Sequence, residues 1–543
     1  MSTTTRKPKW WLAFSTSLLF FFTGLIFLPY PGIQNDEALL ASPVFQILDS
    51  LYHFRLFHHD VPVMLMTYLG ALKTWIYALI FQIFEPSPYS VRLPGLLAGS
   101  ATVWVFYLML RRIHGLLAAF IGALLLATDT MFLLTSCFDW GPVALQHLLS
   151  CSGLLFTLRY YERKNRLNLM LAGFFFGLAL WDKALFLWLL GGLLLAALLL
   201  FGRQLWLRTP LRDLAFATLA FSLGALPLLW YNVTQGYPTF HATHGFTTEE
   251  VYGKSIVLRG TWEGAGLLGY IVKEDSAPLP RAPRSQLERL AFQVRAVAGE
   301  HRRNALNWGF LAFLFCLPFV WRTPVRNPIL FCLIAFLVGW LQMALTRGAG
   351  GAVHHVVLLW PLPHACLALA FAETARRTGR IGTSVFLIGT FLLALTNLLT
   401  TNQYLYQFAR NGSDGSWTDA IYALSANIEA EHPSRVAIID WGMVDSLDLL
   451  NRNRLAISWQ GDSFQPVSPG QRPPSPDPRL LDDPQVLWLA HTDGNEQFPG
   501  VNAGVTLFTK REGYAKLPAK TYYDGNGRAI FQTFRLRKLQ TGQ

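Results

Sequence analysis

Two adjacent carboxylates, Asp36 and Glu37, lie just after the first apolar run, where a charged group loses part of its hydration. Asn35, Asp36 and Glu37 follow directly on an apolar run over residues 10–30 that ends in a Tyr-Pro-Gly turn. A carboxylate beside an apolar phase loses hydration, which raises its basicity, so it can act as a general base toward an acceptor hydroxyl or hold a cation. The alternative is structural, because Asn35 or Asp36 can cap a helix predicted over residues 38–48.

A third carboxylate, Asp139, lies in the sequence Cys-Phe-Asp-Trp-Gly-Pro between two apolar runs. It can bind a cation jointly with Asp36 or orient an acceptor, or it can cap the helix that begins near Pro142. A nitrogen ligand from His58 would complete a metal site, but the spacing of these residues matches no dedicated zinc motif. A divalent cation held by Asp36, Asp139 and His58 is therefore possible, and no cofactor is certain.

Several cations close to apolar runs suit a phosphate. Arg92 opens an Arg-Leu-Pro-Gly sequence, and a guanidinium fits a phosphate bidentately; the alternative is an interfacial anchor. Lys183 follows Asp182 inside a long apolar stretch, where an ionisable residue is a functional hypothesis and a local Asp182–Lys183 pair is the alternative. Lys73 lies within another apolar run, where it can face a phosphate or reach toward water.

Glycines and histidines share one later link. Arg347 begins the sequence Arg-Gly-Ala-Gly-Gly-Ala-Val-His-His, which ends at His354 and His355. Glycines let the backbone approach a ligand closely, although the Gly-Lys-Ser/Thr of a P-loop is missing. We expect Arg347 with either histidine to contact a phosphate, against the alternative of two interfacial histidines in a flexible turn.

The elements that must position these residues are membrane-spanning helices. The chain has 543 residues, 52% hydrophobic and 14% charged, which falls outside the range of ordinary soluble domains. Runs long enough to cross a bilayer recur as far as residue 400, and none follows. The predicted spans are roughly 10–30, 92–110, 116–136, 141–158, 168–181, 184–201, 213–231, 305–321, 328–346, 354–372 and 381–400.

Charge alternates between the links. Arginine-rich links at 111–112, 159–166, 203–212, 322–326 and 376–380 alternate with links that carry few cations. We expect the protein to lie in the plasma or inner membrane. The positive-inside rule then places the basic links in the cytoplasm, together with the N-terminus and its Arg6, Lys7 and Lys9. The first run is expected to be an uncleaved spanning helix. For the basic links to stay on the cytoplasmic side, residues 31–91 must all lie outside, with 61–84 as a membrane-dipping or interfacial helix rather than a span. A second long outer loop covers 232–304.

The sequence therefore predicts a mainly α protein in two parts. A polytopic transmembrane domain of about eleven spans covers residues 1–401, and a small α/β domain on the outer side covers 402–543. In the second part, residues 436–439, 455–458 and 486–489 are typical of strands and 418–430 and 444–450 of helices. An Asp524-Gly-Asn-Gly turn predicts a hairpin between 520–523 and 529–534.

Composition disfavours both nucleic-acid binding and structural roles for the cysteines. The net charge of +12 is divided into clusters between apolar runs, which are topology signals rather than a nucleic-acid surface. All five cysteines lie in or beside apolar runs without a Cys-x-x-Cys pair, so neither a disulfide framework nor a cysteine-ligated metal is expected.

The arrangement resembles a known family. An acidic pair just past the first span, a long first outer loop and the Arg92-Leu-Pro-Gly opening of the next span resemble the GT-C superfamily, specifically glycosyltransferase family 39, which includes protein O-mannosyltransferases and the aminoarabinose transferases that modify lipid A. The resemblance covers roughly residues 1–400. The first outer loop departs from it, because Asp60-Val-Pro stands in place of the His-Pro-Pro common in that branch.

The resemblance implies transfer of a sugar from a polyprenyl-phosphate donor to a lipid, glycan or protein acceptor outside the membrane, by direct displacement with inversion. It implies Asp36 as the catalytic acidic residue with Glu37 beside it, and an acidic residue at Asp139. Our phosphate-binding candidates are Arg92, Lys73, Lys183, Arg347, His354 and His355. A transporter or flippase of a lipid-linked glycan is disfavoured because the polar candidates lie at the ends of the spans. A membrane-anchored envelope assembly protein, whose outer domain is the active part, is the third alternative.

Overall fold

The structure is a computed structural model that describes residues 9–243, 245–274, 280–466 and 473–539. Arg6 and Lys7, which entered the predicted topology, lie outside these residues. The helices are α1 (Trp10–Leu25), α2 (Asn35–Leu39), α3 (Leu72–Ile80), α4 (Pro88–Ile113), α5 (Leu116–Thr128), α6 (Thr130–Phe138), α7 (Ala144–Arg163), α8 (Arg166–Asp182), α9 (Phe186–Arg208), α10 (Leu211–Gly224), α11 (Leu226–Gln235), α12 (Pro238–Thr243), α13 (Val251–Trp262), α14 (Gln286–Ala298), α15 (Leu306–Val320), α16 (Arg326–Leu345), α17 (Val353–Val356), α18 (Leu362–Asn411), α19 (Ala420–Glu431), α20 (Val444–Leu450), α21 (Pro478–Asp482) and α22 (Val501–Glu512). The strands are β1 (Tyr52–Leu56), β2 (His59–Met66), β3 (Leu69–Gly70), β4 (Val436–Ile438), β5 (Ile457–Trp459), β6 (Leu487–His491), β7 (Tyr514–Tyr523) and β8 (Ala529–Lys538).

The predicted spans coincide with helices, or with bent helix pairs at 116–136 and 213–231, except that 354–372 begins in α17 and a 3-10 turn before it reaches α18. The chain is an integral membrane protein of mainly α structure. Helices α4, α9, α16 and α18 are long and apolar enough to cross a membrane. The pairs α5–α6 and α10–α11, bent by 58° and 68°, each meet the same criterion together. Helix α18 is broken at Gly379, where φ is 73°. Its second half covers the predicted span 381–400, whereas its first half covers only residues 362–372 of the span predicted at 354–372. The count of eleven spans stays a prediction.

The break between α5 and α6 has a polar cause. Asp129 leaves the helical conformation and its Oδ1 accepts a hydrogen bond from the backbone N–H of Phe132 at 2.8 Å, which caps α6. Its Oδ2 accepts from the indole N–H of Trp360 at 3.1 Å and lies 3.1 Å from Nε2 of His364. A carboxylate in an apolar core must be fully hydrogen-bonded. These contacts satisfy Asp129 and tie α6 to the start of α18.

The first long loop differs from its prediction. Residues 61–84 do not form one helix; β1 and β2 make an antiparallel hairpin with a turn at Phe57-His58, β3 adds a third strand, and only α3 is helical. The prediction of an interfacial helix over the whole run is therefore wrong. The helix predicted over 38–48 is also shorter, because α2 ends at Leu39 and Pro43 follows in a 3-10 turn, Ser42–Val44.

The C-terminal part is a small α/β domain, as predicted. Its sheet has the order β5-β4-β6-β8-β7, with the first three strands parallel and the last two antiparallel to their neighbours. One face packs on α19 and α20, and the other packs on α22. The predicted strands and hairpin are present, with longer hairpin arms. Helix α22 was not predicted, and α18 runs past residue 402 to Asn411 before the domain begins.

This domain is clamped to the chain that precedes α2. The Nδ2 of Asn35 donates to the Asp445 carboxylate at 2.5 Å, and the Asp445 backbone N–H donates to Asn35 Oδ1 at 3.1 Å. The Ser446 hydroxyl donates to the Ile33 carbonyl, and the Gly32 N–H donates to the Trp417 carbonyl at 2.8 Å. Because four hydrogen bonds reach residues 32–35, the α/β domain fixes the position of the Asn35-Asp36-Glu37 segment.

The clamp makes a testable prediction. Asn35→Leu leaves the Asp445 carboxylate and its N–H without partners and is expected to lower the free energy of unfolding by about 1–3 kcal/mol. The reciprocal swap, Asn35→Asp with Asp445→Asn, restores an amide and a carboxyl group that face each other and is expected to recover most of the loss. Thermal unfolding of the purified protein in detergent measures both. A swap as unstable as Asn35→Leu would show that this contact does not hold the domain in place.

Candidate active site

Residues from four separated segments meet in one small pocket at one end of the helical domain. Asp36 comes from the start of α2, Gly141 follows α6, Lys183 lies in the turn between α8 and α9, and His354 lies in α17. The pocket is lined by Asp36, Leu39, Met66, Tyr68, Leu69, Trp140, Gly141, Lys183 and His354. Three of the nine predicted site residues, Asp36, Lys183 and His354, therefore line one space.

Asp36 is free to act because another residue caps its helix. The side-chain carbonyl of Gln34 accepts from the backbone N–H of Asp36 at 2.6 Å and of Glu37 at 3.2 Å. The alternative that Asn35 or Asp36 supplies the cap is therefore wrong. Among the described residues, no cation forms an ion pair with Asp36, and burial raises its pKa. A carboxylate of raised pKa that faces a pocket suits a general base.

Glu37 and Arg92 are committed to each other. Arg92 Nε and Nη2 donate to the two Glu37 oxygens at 2.6 and 2.8 Å, and both side chains are almost fully buried. The remaining N–H groups of Arg92 donate to the carbonyls of residues 28 and 30–32. All five guanidinium N–H groups have acceptors, so in this arrangement Arg92 has none left for a phosphate. The alternative of an interfacial anchor is also wrong, because Arg92 is buried.

Asp139 and Lys73 form a second buried pair. The Lys73 ammonium donates to Asp139 Oδ2 at 2.8 Å, and the other carboxylate oxygen accepts from the N–H groups of Val143 and Ala144. Asp139 thus fulfils the expected capping role at the start of α7. The pair also joins α3 of the first loop to the end of α6. In this arrangement Lys73 serves a carboxylate rather than a phosphate.

Lys183 keeps donors available to the pocket. Its ammonium donates to the Gly141 carbonyl at 2.6 Å, and the turn that carries it is held by a hydrogen bond from Ala184 N–H to the Tyr68 carbonyl. No Lys183–Asp182 ion pair forms, so that alternative is wrong. Asp182 is fully buried, and neither of its carboxylate oxygens has a hydrogen-bond partner among the described residues. An ammonium with three donors and one bond to a carbonyl can still bind an anion.

The glycine-rich link divides its candidates. His354 lines the pocket and packs so closely on Gly141 that a Cβ at that position would lie 2.4 Å from the imidazole Cδ2. His355 lies behind it, ring to ring at 4.2 Å, and its Nδ1 accepts from the Gly350 N–H. Arg347 is exposed and is not among the residues that line the pocket. Only His354 of this link meets Asp36 in the pocket.

The metal site is not assembled. His58 lies exposed in the hairpin turn, whereas Asp139 is buried and paired with Lys73. Within the described part of the chain, no three histidine, cysteine, aspartate or glutamate side chains are placed to hold a metal ion. The hypothesis of a divalent cation on Asp36, Asp139 and His58 is therefore wrong for this arrangement, because the hairpin carries His58 away from the two carboxylates.

An aromatic wall borders the pocket and was missed in the sequence. Trp140 packs against Trp417 at 5.2 Å, against Tyr270 at 6.0 Å and against His354 at 5.3 Å between ring centroids. Tyr270 is close enough for the charge of Asp36 to add to the effect of burial, and its pKa rises to about 12. Trp140 was visible beside Asp139 in the sequence, but no local signal connects Trp417 or Tyr270 to this site. Aromatic faces beside a carboxylate suit an amphipathic ligand such as a sugar.

The sequence and the structure were compared with those of known proteins. Residues 70–230 match the sequence model of the dolichyl-phosphate-mannose-protein mannosyltransferase family. A search of curated protein sequences finds no match. The crystal structure of ArnT from Cupriavidus metallidurans bound to undecaprenyl phosphate is similar over 97% of this chain and 98% of that one, with a TM-score of 0.59 and 14% identity. The oligosaccharyltransferase of Archaeoglobus fulgidus in its apo form is similar over 98% of this chain and 75% of that one, with a TM-score of 0.49 and 14% identity.

The similarity to ArnT extends over both domains and establishes the fold, and the family match covers the segment from the end of the hairpin sheet to α11. The predicted resemblance is confirmed: this protein is a membrane glycosyltransferase of the GT-C fold, similar to glycosyltransferase family 39.

Proposed function

We propose that the protein transfers a sugar from a polyprenyl-phosphate donor to a hydroxyl or amine acceptor on a lipid, glycan or protein outside the membrane. The observation that carries this proposal is the pocket itself. It places Asp36, a carboxylate with no ion-pair partner among the described residues, and the ammonium of Lys183 in the same small space beside an aromatic wall. The bound undecaprenyl phosphate of the ArnT structure supports a lipid-phosphate donor.

The proposed reaction is a single displacement. Asp36 accepts the proton of the acceptor hydroxyl as its oxygen bonds to the anomeric carbon, and the bond from that carbon to the phosphate oxygen breaks. The electron pair leaves with the phosphate, which departs as the polyprenyl phosphate. Lys183 and His354 are positioned to bind the phosphate oxygens, and the negative charge of the leaving group is stabilised by the Lys183 ammonium.

The other predicted site residues take supporting roles in this proposal. Glu37 and Arg92 fix the segment on either side of Asp36, and the Lys73–Asp139 pair fixes Gly141 and Trp140 through the turn after α6. His355 supports His354. Arg347 is proposed as an outer contact for the donor phosphate as it enters, because it lies exposed in the link that leads to His354.

The proposed orientation follows from where the basic links gather. Arg112 at the end of α4 pairs with Glu162 at the end of α7, and His114 lies 3.0 Å from Glu373 in α18. These links meet at the helix ends opposite to those that carry Arg92 and Lys183. The positive-inside rule then supports a cytoplasmic N-terminus, with the pocket and the α/β domain on the periplasmic or extracellular side of the plasma or inner membrane.

The position of the pocket and the contacts of the α/β domain disfavour both alternative functions, and the buried Asp129 at the break between α5 and α6 is already bound to Trp360 and His364. A transporter would carry its polar residues near the middle of the spans, whereas the pocket lies where α2, α6, α8 and α17 begin or end. An assembly protein would have no need for the contacts that join the α/β domain to the chain beside Asp36.

The central test is Asp36→Asn. Loss of a general base is expected to lower the rate of transfer by roughly 10²- to 10⁴-fold, while the fold and donor binding persist because Asp36 forms no ion pair. The measurement is sugar transfer from a polyprenyl-phosphate sugar by purified protein in proteoliposomes, with the donor and acceptor identified by mass spectrometry of membranes from cells with and without the gene. Asp482→Asn, an exposed aspartate of the α/β domain, is the matched control. Full transfer by Asp36→Asn would refute the assignment.

The pH profile provides a second test. Burial raises the pKa of Asp36 above its ordinary value of 3.8, and only the ionised form accepts a proton. The rate is therefore expected to fall as the pH drops through this raised pKa, and to fall earlier than for an exposed carboxylate. Residual transfer by Asp36→Asn is expected to lack this acidic limb. An unchanged acidic limb in the variant would assign the titration to another group.

Substitution of Arg92 is expected to lower stability, whereas substitution of Lys183 is expected to lower activity toward the lipid donor. Arg92→Met leaves Glu37 buried and unpaired, which is expected to lower the free energy of unfolding by about 3–5 kcal/mol. Lys183→Met keeps the volume of the side chain, and the loss of a charged hydrogen bond is expected to lower kcat/KM for the lipid donor by about 10- to 100-fold.

Thermal unfolding and donor kinetics separate the two variants, with Lys510→Met, an exposed lysine, as the control. The double variant Arg92→Met with Glu37→Leu is expected to regain part of the stability, because no charge is then left unpaired. A stable Arg92→Met protein with a raised KM would instead assign Arg92 to the phosphate.

A further inference from the structure

We propose that the β1–β2 hairpin of the first loop is a membrane anchor whose apolar face lies in the lipid interface. This hairpin replaces part of the predicted interfacial helix, and of its residues only Met66, at the end of β2, lines the pocket. Its occupant is the bilayer, with neither another copy of the chain nor a protein partner required. The inference does not depend on the donor, the acceptor or the catalytic role of Asp36.

The strand register makes the hairpin amphipathic. Phe54 pairs with Val61 and Leu56 with His59, so Phe54, Leu56 and Val61 share one face with His59 at its tip, since paired residues point to the same side. The other face carries Arg55 opposite Asp60. Within the described part of the chain the apolar residues of the first face are left uncovered: Phe54 and Leu56 are exposed, and Phe57 in the turn is 84% exposed.

Indole and phenol rings surround the root of the hairpin. Trp75 and Trp181 donate from their indole N–H groups to the carbonyls of Pro62 and Val63 at 2.8 and 3.0 Å, and Tyr52 lies 5.3 Å from Tyr231 in α11. These rings join β1 and β2 to the ends of α8 and α11. Trp181 and Tyr231 are buried, whereas Trp75 is exposed; because tryptophan concentrates at the level of the lipid headgroups, Trp75 marks the depth of the membrane surface at the root of the hairpin.

Exposed apolar residues lie on the elements that flank the hairpin. Helix α11, which packs against β2, exposes Trp230 and Val233, and Phe240 in the following α12 is exposed as well. On the other side of the hairpin, α3 and the residues after it expose Leu79 and Ile83. Exposed apolar residues on both sides of an amphipathic hairpin, at the end of spanning helices, are typical of insertion into the interface.

The anchor would also set the height of the pocket. Strand β2 leads directly to Met66, Tyr68 and Leu69, which line the pocket. Gly70 packs so closely on Trp181 that a Cβ there would lie 2.0 Å from the Trp181 carbonyl oxygen. A hairpin fixed in the lipid interface therefore fixes this wall of the pocket relative to the membrane surface.

Fluorescence in bilayers tests the proposal without any measurement of transfer. All five native cysteines are buried, so a new surface cysteine is labelled selectively. An environment-sensitive probe is attached to Phe57→Cys, Phe54→Cys, Arg55→Cys and, as a control on the α/β domain, the exposed Ala503→Cys. The labelled full-length proteins are reconstituted in vesicles of phosphatidylethanolamine and phosphatidylglycerol. Quenching is measured with spin-labelled phospholipids and with aqueous iodide.

Probes at positions 54 and 57 are expected to be quenched by shallow spin-labelled lipid and to lose iodide quenching, while those at 55 and 503 are expected to show the reverse. Iodide quenching at 54 and 57 as strong as at 503 would overturn the proposal, because it places the face in water. Protection from both quenchers would overturn it as well, because it indicates a protein partner. Two independent apolar positions keep the test valid if one labelled variant fails to fold.

Discussion

The bidentate pair between Arg92 and Glu37 is the contact on which the arrangement of this site depends. A guanidinium and a carboxylate without solvent are stable only when every donor and acceptor is used, since the cost of removing charge from water is several kcal/mol per ion. Arg92 meets this demand by donating to four main-chain carbonyls as well as to Glu37. The chain from Leu28 to Glu37 is therefore folded around one side chain of α4. Asp36 lies inside that folded segment and inherits its position.

The same demand separates the carboxylates of the helical domain by role. Asp129 is satisfied by Trp360, His364 and a helix start, and Asp139 by Lys73 and a helix start. Each of these joins elements that are distant in sequence. Asp36 is the carboxylate of the pocket and forms no ion pair within the described residues, so its charge is available to a substrate. Partners distinguish Asp36 from Asp129 and Asp139, whereas Asp182, which also has no hydrogen-bond partner among the described residues, is not among the residues that line the pocket.

Much of the fold could be predicted because hydropathy and charge act over short stretches of chain. Most of the apolar runs became a helix or a helix pair, and the short strands of the α/β domain followed from alternation and turn residues. The segment from Val61 to Met66 could not be assigned in this way. A run such as Val-Pro-Val-Met-Leu-Met is apolar at every position, and periodicity does not distinguish a buried strand from a helix in so short a run. Pairing with β1 and packing on Trp181 decide for the strand.

The sequence predicted several of the residues that line the site, but not which of its charged side chains form ion pairs with each other. Asp36, Lys183 and His354 were selected because ionisable residues beside apolar runs are rare, and they do line one pocket. Which cation takes which carboxylate depends on contacts between segments that lie tens to hundreds of residues apart, such as Arg92 with Glu37 and Lys73 with Asp139. Trp417 and Tyr270 could not be predicted for the same reason, because only tertiary packing brings them to the site.

The two attachments of the pocket suggest why the enzyme needs both of its domains. On one side, the hairpin sheet that carries Tyr68 and Leu69 is joined by Trp75 and Trp181 to the ends of the spanning helices. On the other side, Asp445 of the α/β domain holds the segment that carries Asp36. In the proposed reaction, a donor with a long apolar tail reaches the pocket from the bilayer and a polar acceptor approaches from water. If Asp36 is the general base, the α/β domain holds it from one side and the hairpin sheet holds the opposite wall of the pocket, so the two reactants meet at a fixed distance, as a displacement reaction requires.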